Sequence, residues 1–297
     1  MWVRVLGAAA GGGFPQWNCG CPQCEAVRDG SRPCRPRTQS SVAISPDYRR
    51  WYLLNASPDI RAQIESFPAL QPQGVRNSPL QAVLLTDAEL DHTLGLLPLR
   101  EADRLEIHAT SAAHETLRTG TSLLQTLDAY TQVEWRTVVV GTDVALEGGL
   151  SYRAFGVPTS KQARFGTGEG EETVVGYRFT DERTGRALVY LPGAQELTEP
   201  VLAELEGCTC LLFDGTCWQD DDLIRLGIAS KTSRDMGHLP IGGADGSLKQ
   251  LSTLPVERKI YIHINNTNPI LLEDSPERRS VEEHGFEVAE DGLEMEI

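Results

Sequence analysis

Short apolar blocks that stop on a polar residue are what most constrain this chain. Ala82-Val-Leu-Leu-Thr86, Leu211-Leu-Phe-Asp214 and Ile260-Tyr-Ile-His263 are all of this kind. An unbroken apolar run suits a strand covered on both faces, and the polar residue then stands where the strand ends and can be displayed for function. Further strand-like runs lie at residues 3–8, 41–45, 51–55, 105–109, 137–140, 150–155, 173–179 and 187–191. Helical patterns fall between them at 58–66, 94–102, 112–118, 200–206 and 244–251. Such an order predicts a layered α/β protein with much sheet rather than a simple doubly wound one. The 297 residues contain no internal repeat and no linker, so a single domain over 1–297 is expected.

Composition narrows the function. With 40% apolar and 23% charged residues the chain is an ordinary globular one, which excludes a disordered scaffold. Asp and Glu (42) outnumber Lys and Arg (27), and the net charge of −15 repels phosphate backbones; no nucleic-acid partner is expected. No apolar run approaches the roughly 20 residues of a membrane span. The opening Met1-Trp-Val-Arg-Val-Leu-Gly7 is too short for a signal sequence and reads as a strand. A soluble cytoplasmic protein without a membrane partner is the expectation.

Seven cysteines, three of them in Cys19-Gly-Cys21-Pro-Gln-Cys24, agree with a reducing compartment. Spacing this close favours a metal over disulfides, and the three thiols are within reach of one tetrahedral structural zinc. Cys34 is the nearest fourth ligand in sequence; Cys208, Cys210 and Cys217 read as packing residues. Gly11-Gly-Gly13 invites a dinucleotide-loop reading, but Gly-x-Gly-x-x-Gly is absent and Pro15, Trp17 and Cys19 follow where a helix would begin. A tight loop feeding the cysteines is the better account.

Three other places could carry chemistry. Asp87, Glu89, Asp91 and His92 crowd the turn after the 82–86 block, either as a metal cradle or as the acidic first turn of a helix. His263 closes an apolar strand and leads into Asn265-Asn-Thr-Asn-Pro269, a polar loop that raises the odds of function over a plain core histidine. His238 sits in Met236-Gly-His-Leu-Pro240, a loop framed by Gly and Pro, and Asp214 could orient a ligand or cap its strand. His108, His114 and His284 have no such context and read as structural or surface residues.

Leu-Leu-Thr-Asp87-x-Glu89-x-Asp91-His92-x-x-Gly-Leu resembles the second motif of the metallo-β-lactamase superfamily, His-x-His-x-Asp-His. The cysteine loop resembles the branch with the phosphodiesterase of phosphonate breakdown. Gly-Gly-Gly-Phe-Pro-Gln-Trp-Asn-Cys19 and Ile-His263-Ile-Asn-Asn-Thr-Asn-Pro are similar to the pyrroloquinoline quinone (PQQ) biosynthesis B family. This resemblance covers essentially the entire chain and implies a four-layer αββα sandwich with its site at the strand ends.

The departures from the superfamily pattern matter most. Where it has three histidines for a first metal, this chain has Asp87, Glu89 and Thr159; Gly193 stands for the bridging aspartate and Asn55 for the first-motif aspartate. A two-zinc hydrolase is therefore not expected. Asp91, His92 and His263 survive as two histidines and a carboxylate, the facial set of non-haem Fe(II) oxygenases, although residue type alone also admits Zn or Mn. His238 aligns with the superfamily's acid–base histidine and could protonate an oxygen intermediate or hold a substrate phenol. The related phosphodiesterase has its fourth zinc ligand three residues after the last-strand histidine, which here is Asn266.

The resemblance implies a step in making PQQ from a precursor peptide, with Fe(II) and O2 hydroxylating the tyrosine-derived ring of a Glu–Tyr cross-linked substrate. Such a small amino-acid-derived substrate carries carboxylates. Lys161, Arg164, Lys231 and Arg234, in polar loops, are the candidate cations for holding them. Two alternatives stand beside the oxygenase: a hydrolase or peptidase using one zinc, and a carrier for finished PQQ. Other proteins of the pathway are possible partners.

Overall fold

A computed structural model describes residues 1–161, 164–165 and 172–297. Among the described residues, fourteen strands form two sheets of seven. The first holds β1 (Trp2–Gly7), β2 (Ser41–Ser45), β3 (Trp51–Leu54), β4 (Leu80–Leu84), β5 (Arg104–Ala109), β6 (Gln132–Thr137) and β14 (Glu294–Glu296). The second holds β7 (Asp143–Leu146), β8 (Leu150–Gly156), β9 (Val175–Asp181), β10 (Ala187–Leu191), β11 (Cys210–Asp214), β12 (Arg258–Ile262) and β13 (Phe286–Val288).

The sheets run in the orders β14-β1-β2-β3-β4-β5-β6 and β7-β8-β9-β10-β11-β12-β13. Read this way, each pairs antiparallel from its first strand to its fourth and parallel from there to its last. The two sheets thus repeat one pattern of strand directions, the connectivity differing only at the first strand, where β14 comes from the other end of the chain. Parallel strands send their C-terminal ends to one edge, and β4, β11 and β12 all lie in parallel runs.

The two-residue period of a strand explains why the apolar blocks are unbroken. Leu188 and Tyr190 of β10 face the first sheet, while Val189 and Leu191 face helices. Leu212 and Cys210 of β11 point inward, Leu211 and Phe213 outward. On the other side Ala82 and Leu84 enter the intersheet core and Val83 and Leu85 the outer one. The helices Glu199–Leu205, Ser247–Ser252 and Pro276–Glu283 cover the second sheet through Val201, Leu205, Leu248, Leu251 and Val281. Ile60, Leu124 and Leu127 cover the first. Three apolar interfaces make four layers, an αββα sandwich.

Some elements differ from expectation. The helix anticipated over 94–102 is two 3₁₀ turns, Leu94–Leu96 and Pro98–Glu101. Pro98 removes a helical donor, and Gly95 is drawn onto the exit of β3, its N–H bonding Ala56 O at 2.9 Å. A Cβ at Gly95 would lie 2.2 Å from Ser57 O, so only glycine allows that approach. The strand expected at 137–140 instead ends at Thr137: as an edge strand β6 alternates half-buried Val133 and Trp135 with charged residues. Helices Pro22–Asp29, Leu123–Asp128 and Pro276–Glu283 went unanticipated. The first begins inside the cysteine cluster, with Cys21 at the N-cap, Pro22 in the first helical position and Gly30 closing it in the left-handed conformation. Among the described residues no helix is long and apolar enough to cross a membrane.

Candidate metal centre

The turn after β4 carries Asp87 and then the single helical turn Leu90–Thr93, which holds Asp91 and His92. β12 delivers His263 one residue past its end, with φ of 57°. That left-handed backbone is unusual for a side chain larger than glycine and swings the ring towards the first sheet. One ligand atom from each of Asp91, His92 and His263 falls within 4.8 Å of the others. His263 Nε2 is 3.3 Å from Asp91 Oδ2, and His92 Nε2 is 4.0 Å from the same oxygen. The carboxylate therefore lies beside two imidazoles from opposite sheets: His92 is its neighbour in the chain, and His263 is 172 positions away.

Each ring is held from behind. Both Asp87 oxygens lie 2.8 Å from His92 Nδ1, so Nδ1 carries the proton it donates. Asp87 is itself fixed by the Glu89 N–H and the Thr86 hydroxyl, each at 2.9 Å. Asn55 extends the chain, accepting the Thr86 N–H at 2.9 Å and donating to Tyr190 Oη at 3.3 Å. His92 Nε2, by contrast, is buried and has no hydrogen-bond partner among the described residues. An orphaned imidazole nitrogen aimed between a carboxylate and a second imidazole fits a metal ion.

Electrostatics agree. Burial works against charge on Asp91, but His92 and His263 overcome it and hold the carboxyl far below the ordinary carboxylate range. Asp87 is likewise opposed by burial and brought down to about 2 by His92. Burial would lower His92, yet Asp87 and Asp91 raise it to about 9. Burial dominates at His263 and pushes it down, towards the neutral form that a ligand must have.

Beside this triad lies a second group. Asp214, fully buried at the end of β11, accepts from His238 Nδ1 at 2.7 Å and from the Ala194 N–H at 3.0 Å. His238 is partly exposed and stacks on His263, ring centres 5.3 Å apart. A Cβ at Gly193 would stand 3.7 Å from His238 Cε1, an ordinary contact, so no clash demands glycine there. The glycine leaves free space beside the His238 ring. Gly11 of the triple-glycine loop comes closer: a Cβ there would be 3.0 Å from Asp91 Oδ2. That loop thus walls the triad.

The positions that depart from the superfamily pattern have acquired other partners. Asp87 orients His92. Glu89 pairs with Lys161 at 2.8 Å and Arg164 at 4.0 Å, and Thr159 accepts the Lys161 N–H. The Lys161 stem passes Gly237, where a Cβ would lie 3.3 Å from Lys161 Cδ, so this cation runs alongside the His238 loop. Arg234 donates to Gln195 O at 3.3 Å, within the same group of loops. Lys231 is exposed, and Arg164 is 74% exposed. His108 is buried against Tyr152 and Glu106, His114 meets Trp135 edge-on, and His284 is exposed.

The Sγ atoms of Cys19, Cys21 and Cys24 also lie within 4.8 Å of one another. Cys34 does not join them; its thiol contacts Arg32 O at 3.4 Å. Asn266 does, with Nδ2 3.3 Å from Cys24 Sγ and 3.6 Å from Cys21 Sγ. Burial drives the Cys21 thiol up to about 12, whereas at Cys19 burial is outweighed by hydrogen bonds, first that from the Cys21 backbone, and the thiol is lowered. Asp87, a candidate ligand by its place in the sequence, stands behind His92 instead. Thr216, which bonds Asp214 and reaches both His238 and His263, carries no sequence signal beyond lying two residues after Asp214.

The chain matches the Beta-lactamase superfamily domain over residues 50–264. It is 46% identical to coenzyme PQQ synthesis protein B of Methylococcus capsulatus, over 99% of both chains, and 45% identical to that of an Azoarcus species over 100% of both. The crystal structure of Zn(2+)-bound PqqB from Methylobacterium extorquens superposes with a TM-score of 0.92 at 43% identity, covering 100% of each chain. The chain belongs to the coenzyme PQQ synthesis protein B family. A diphosphatase of the PhnP family, at 22% identity and a TM-score of 0.70, shares the fold. Membership accounts for the sandwich.

Proposed function

We propose that this protein acts in coenzyme PQQ biosynthesis as a non-haem, Fe(II)- and O2-dependent hydroxylase of the tyrosine-derived ring of the Glu–Tyr cross-linked precursor. Family membership supports the pathway. The observation that carries the chemistry is the orphaned, buried His92 Nε2 facing Asp91 and His263. Two imidazoles and one carboxylate suit Fe(II) and leave coordination positions for O2 and substrate. A bound Fe(II) would supply the activation of O2 that a phenol ring accepts.

The protein's own part is positioning and proton handling. Asp91, His92 and His263 would hold the ion. Asp214 keeps the proton on His238 Nδ1, which leaves Nε2 to accept a proton from a phenol or return one to oxygen. Lys161 and Arg234, in the loops around His238, are the cations for the substrate carboxylates; Arg164 and Lys231, more exposed, are their outer counterparts. Cys19, Cys21 and Cys24 would hold a structural zinc, with the Asn266 amide donating to two of the sulfurs. The intersheet core shared by both sheets supports reading residues 1–297 as one domain, and the pathway supports a cytoplasmic setting.

The test is anaerobic Fe(II) reconstitution followed by air and 3,4-dihydroxyphenylalanine or the cross-linked diamino acid. Oxygen uptake with a gain of oxygen mass, absent in His92→Ala and His263→Ala, is expected. PQQ binding that survives both substitutions, without oxygen uptake, would establish the carrier instead. Turnover of the peptide with zinc alone would establish the hydrolase.

A further inference from the structure

Thr216 lies two residues past β11 and is buried. Its hydroxyl oxygen is 2.6 Å from Asp214 Oδ1, 3.0 Å from His263 Nδ1, 3.0 Å from His263 O and 3.1 Å from His238 Nδ1. A hydroxyl has one proton to give. If that proton went to His263 Nδ1, the oxygen lone pairs would face the Asp214 carboxylate across 2.6 Å with nothing between them. His238 Nδ1, 2.7 Å from Asp214 Oδ2, is itself a donor and needs no proton from Thr216. The hydroxyl proton therefore points to Asp214, with the His263 carbonyl the other acceptor in reach. The contact to His263 must then run the other way, from Nδ1–H to Oγ1. That leaves His263 Nε2 with a bare lone pair 3.3 Å from Asp91 Oδ2, an arrangement that a cation held by both atoms would relieve.

The same residue holds the backbone that aims this ring. His263 has its left-handed φ of 57°, and the Asn265 N–H donates to Thr216 O at 3.1 Å. Gly215, beside Thr216, donates to Ile262 O at 2.7 Å. The exits of β11 and β12 are thus laced together on both sides of His263.

We infer that Thr216 is the positioning residue of the centre: its hydroxyl fixes His263 in the tautomer that presents Nε2 to the metal and joins that ring to the Asp214–His238 pair. The inference rests on Asp91, His92 and His263 being the metal ligands. It adds to them a partner outside the ligand set, which plays for His263 the part that Asp87 plays for His92. Partners of this kind are typically worth 10- to 100-fold in metal affinity.

The experiment is a Co(II) titration of the metal-stripped full chain, followed by visible absorption. Cobalt at the cysteines reports through sulfur-to-metal charge transfer, and cobalt at the triad through its weaker ligand-field bands. Wild type should show both and His92→Ala only the first. Thr216→Val should weaken the ligand-field set roughly 10- to 100-fold and change its shape, leaving the cysteine bands alone. Thr216→Ser should restore both affinity and shape. A folded Thr216→Val protein with wild-type affinity and spectrum overturns the inference while leaving the triad intact. Wild type and His92→Ala with identical spectra overturn the triad, and the inference with it. If Thr216→Val fails to fold, Thr216→Ala removes the same hydroxyl with less steric demand and is read in the same way.

Discussion

The two candidate ion sites of this protein are built in opposite ways. The cysteine cluster is local: six residues supply all three thiols, and the helix Pro22–Asp29 starts inside it. The Asp91–His92–His263 cluster is assembled from two sheets, with partners that are far apart in the chain. A local cluster needs little around it beyond a turn. A distributed one depends on every element that delivers a ligand, and here each imidazole has a dedicated support, Asp87 for His92 and Thr216 for His263. The two sites are also joined: His263 and Asn266 sit on one segment, three residues apart, and Asn266 touches Cys21 and Cys24.

The largest expected effect separates the sites outright. On the proposed reading, His92→Ala or His263→Ala should abolish the hydroxylation and cost the protein one bound ion per chain, while an ion at the cysteines stays. Elemental analysis of the purified variants reads this directly. Retention of both ions in either variant would sink the distributed site.

Cys24→Ser tests the link in the other direction. Cys24 is fully buried, and losing a structural ion should destabilise the fold by on the order of 2–4 kcal/mol. Because Asn266 is anchored on this cluster, triad affinity should fall too, though less than in His263→Ala. Denaturant melts together with Fe(II) titrations measure both. An unchanged triad affinity would make the two sites independent.

How far each site could be read from sequence follows from this difference in construction. Cys-x-Cys-x-x-Cys gives its proximity away by spacing, since no fold could pull those thiols far apart. The sheet was legible for a similar reason: β4, β10, β11 and β12 are apolar on both faces and read as unbroken blocks. Asp91 and His92 could be paired with His263 only through family resemblance, because nothing in the spacing says that the ends of β4 and β12 meet. Thr216 and the role of Asp87 lay beyond reach, as both depend on which lone pair faces which proton. The edge strands β7, β13 and β14 were missed because they are short and half exposed, and Leu94–Glu101 was misjudged because Pro98 and the close approach at Gly95 outweigh its helical spacing.

Acidity gives a finer contrast. In the metal-free protein His92 is raised to about 9 above its ordinary value near 6.5, so its contribution to stability is full below about 6.5 and is lost as pH climbs through about 9. A metal must displace that proton, so binding runs against the same equilibrium: triad affinity should rise from pH 6.5 and level off above about 9. At the cysteines, where Cys21 is pushed up to about 12, affinity should keep rising past the point at which the triad has levelled off. Proton release on metal addition in weak buffer distinguishes the two. Parallel curves would show that the Asp87–His92 pair does not set the triad's response.

The smallest effect belongs to the Lys161–Glu89 ion pair, at one of the positions that depart from the superfamily pattern. Lys161 and Glu89 are 24% and 33% exposed at their side chains, so solvent screening limits the pair to less than about 1 kcal/mol of stability. Lys161→Met should therefore leave the melting temperature and both metal contents nearly unchanged. If the ammonium meets a substrate carboxylate, the same substitution raises KM several-fold with little change in kcat, because the contact is made in the bound state and not only at the reacting ring. Glu89→Gln, which frees the lysine without removing it, should lower KM or leave it alone. A matched loss in both variants would mean that the pair shapes the loop rather than the substrate, and would move carboxylate recognition to Arg234.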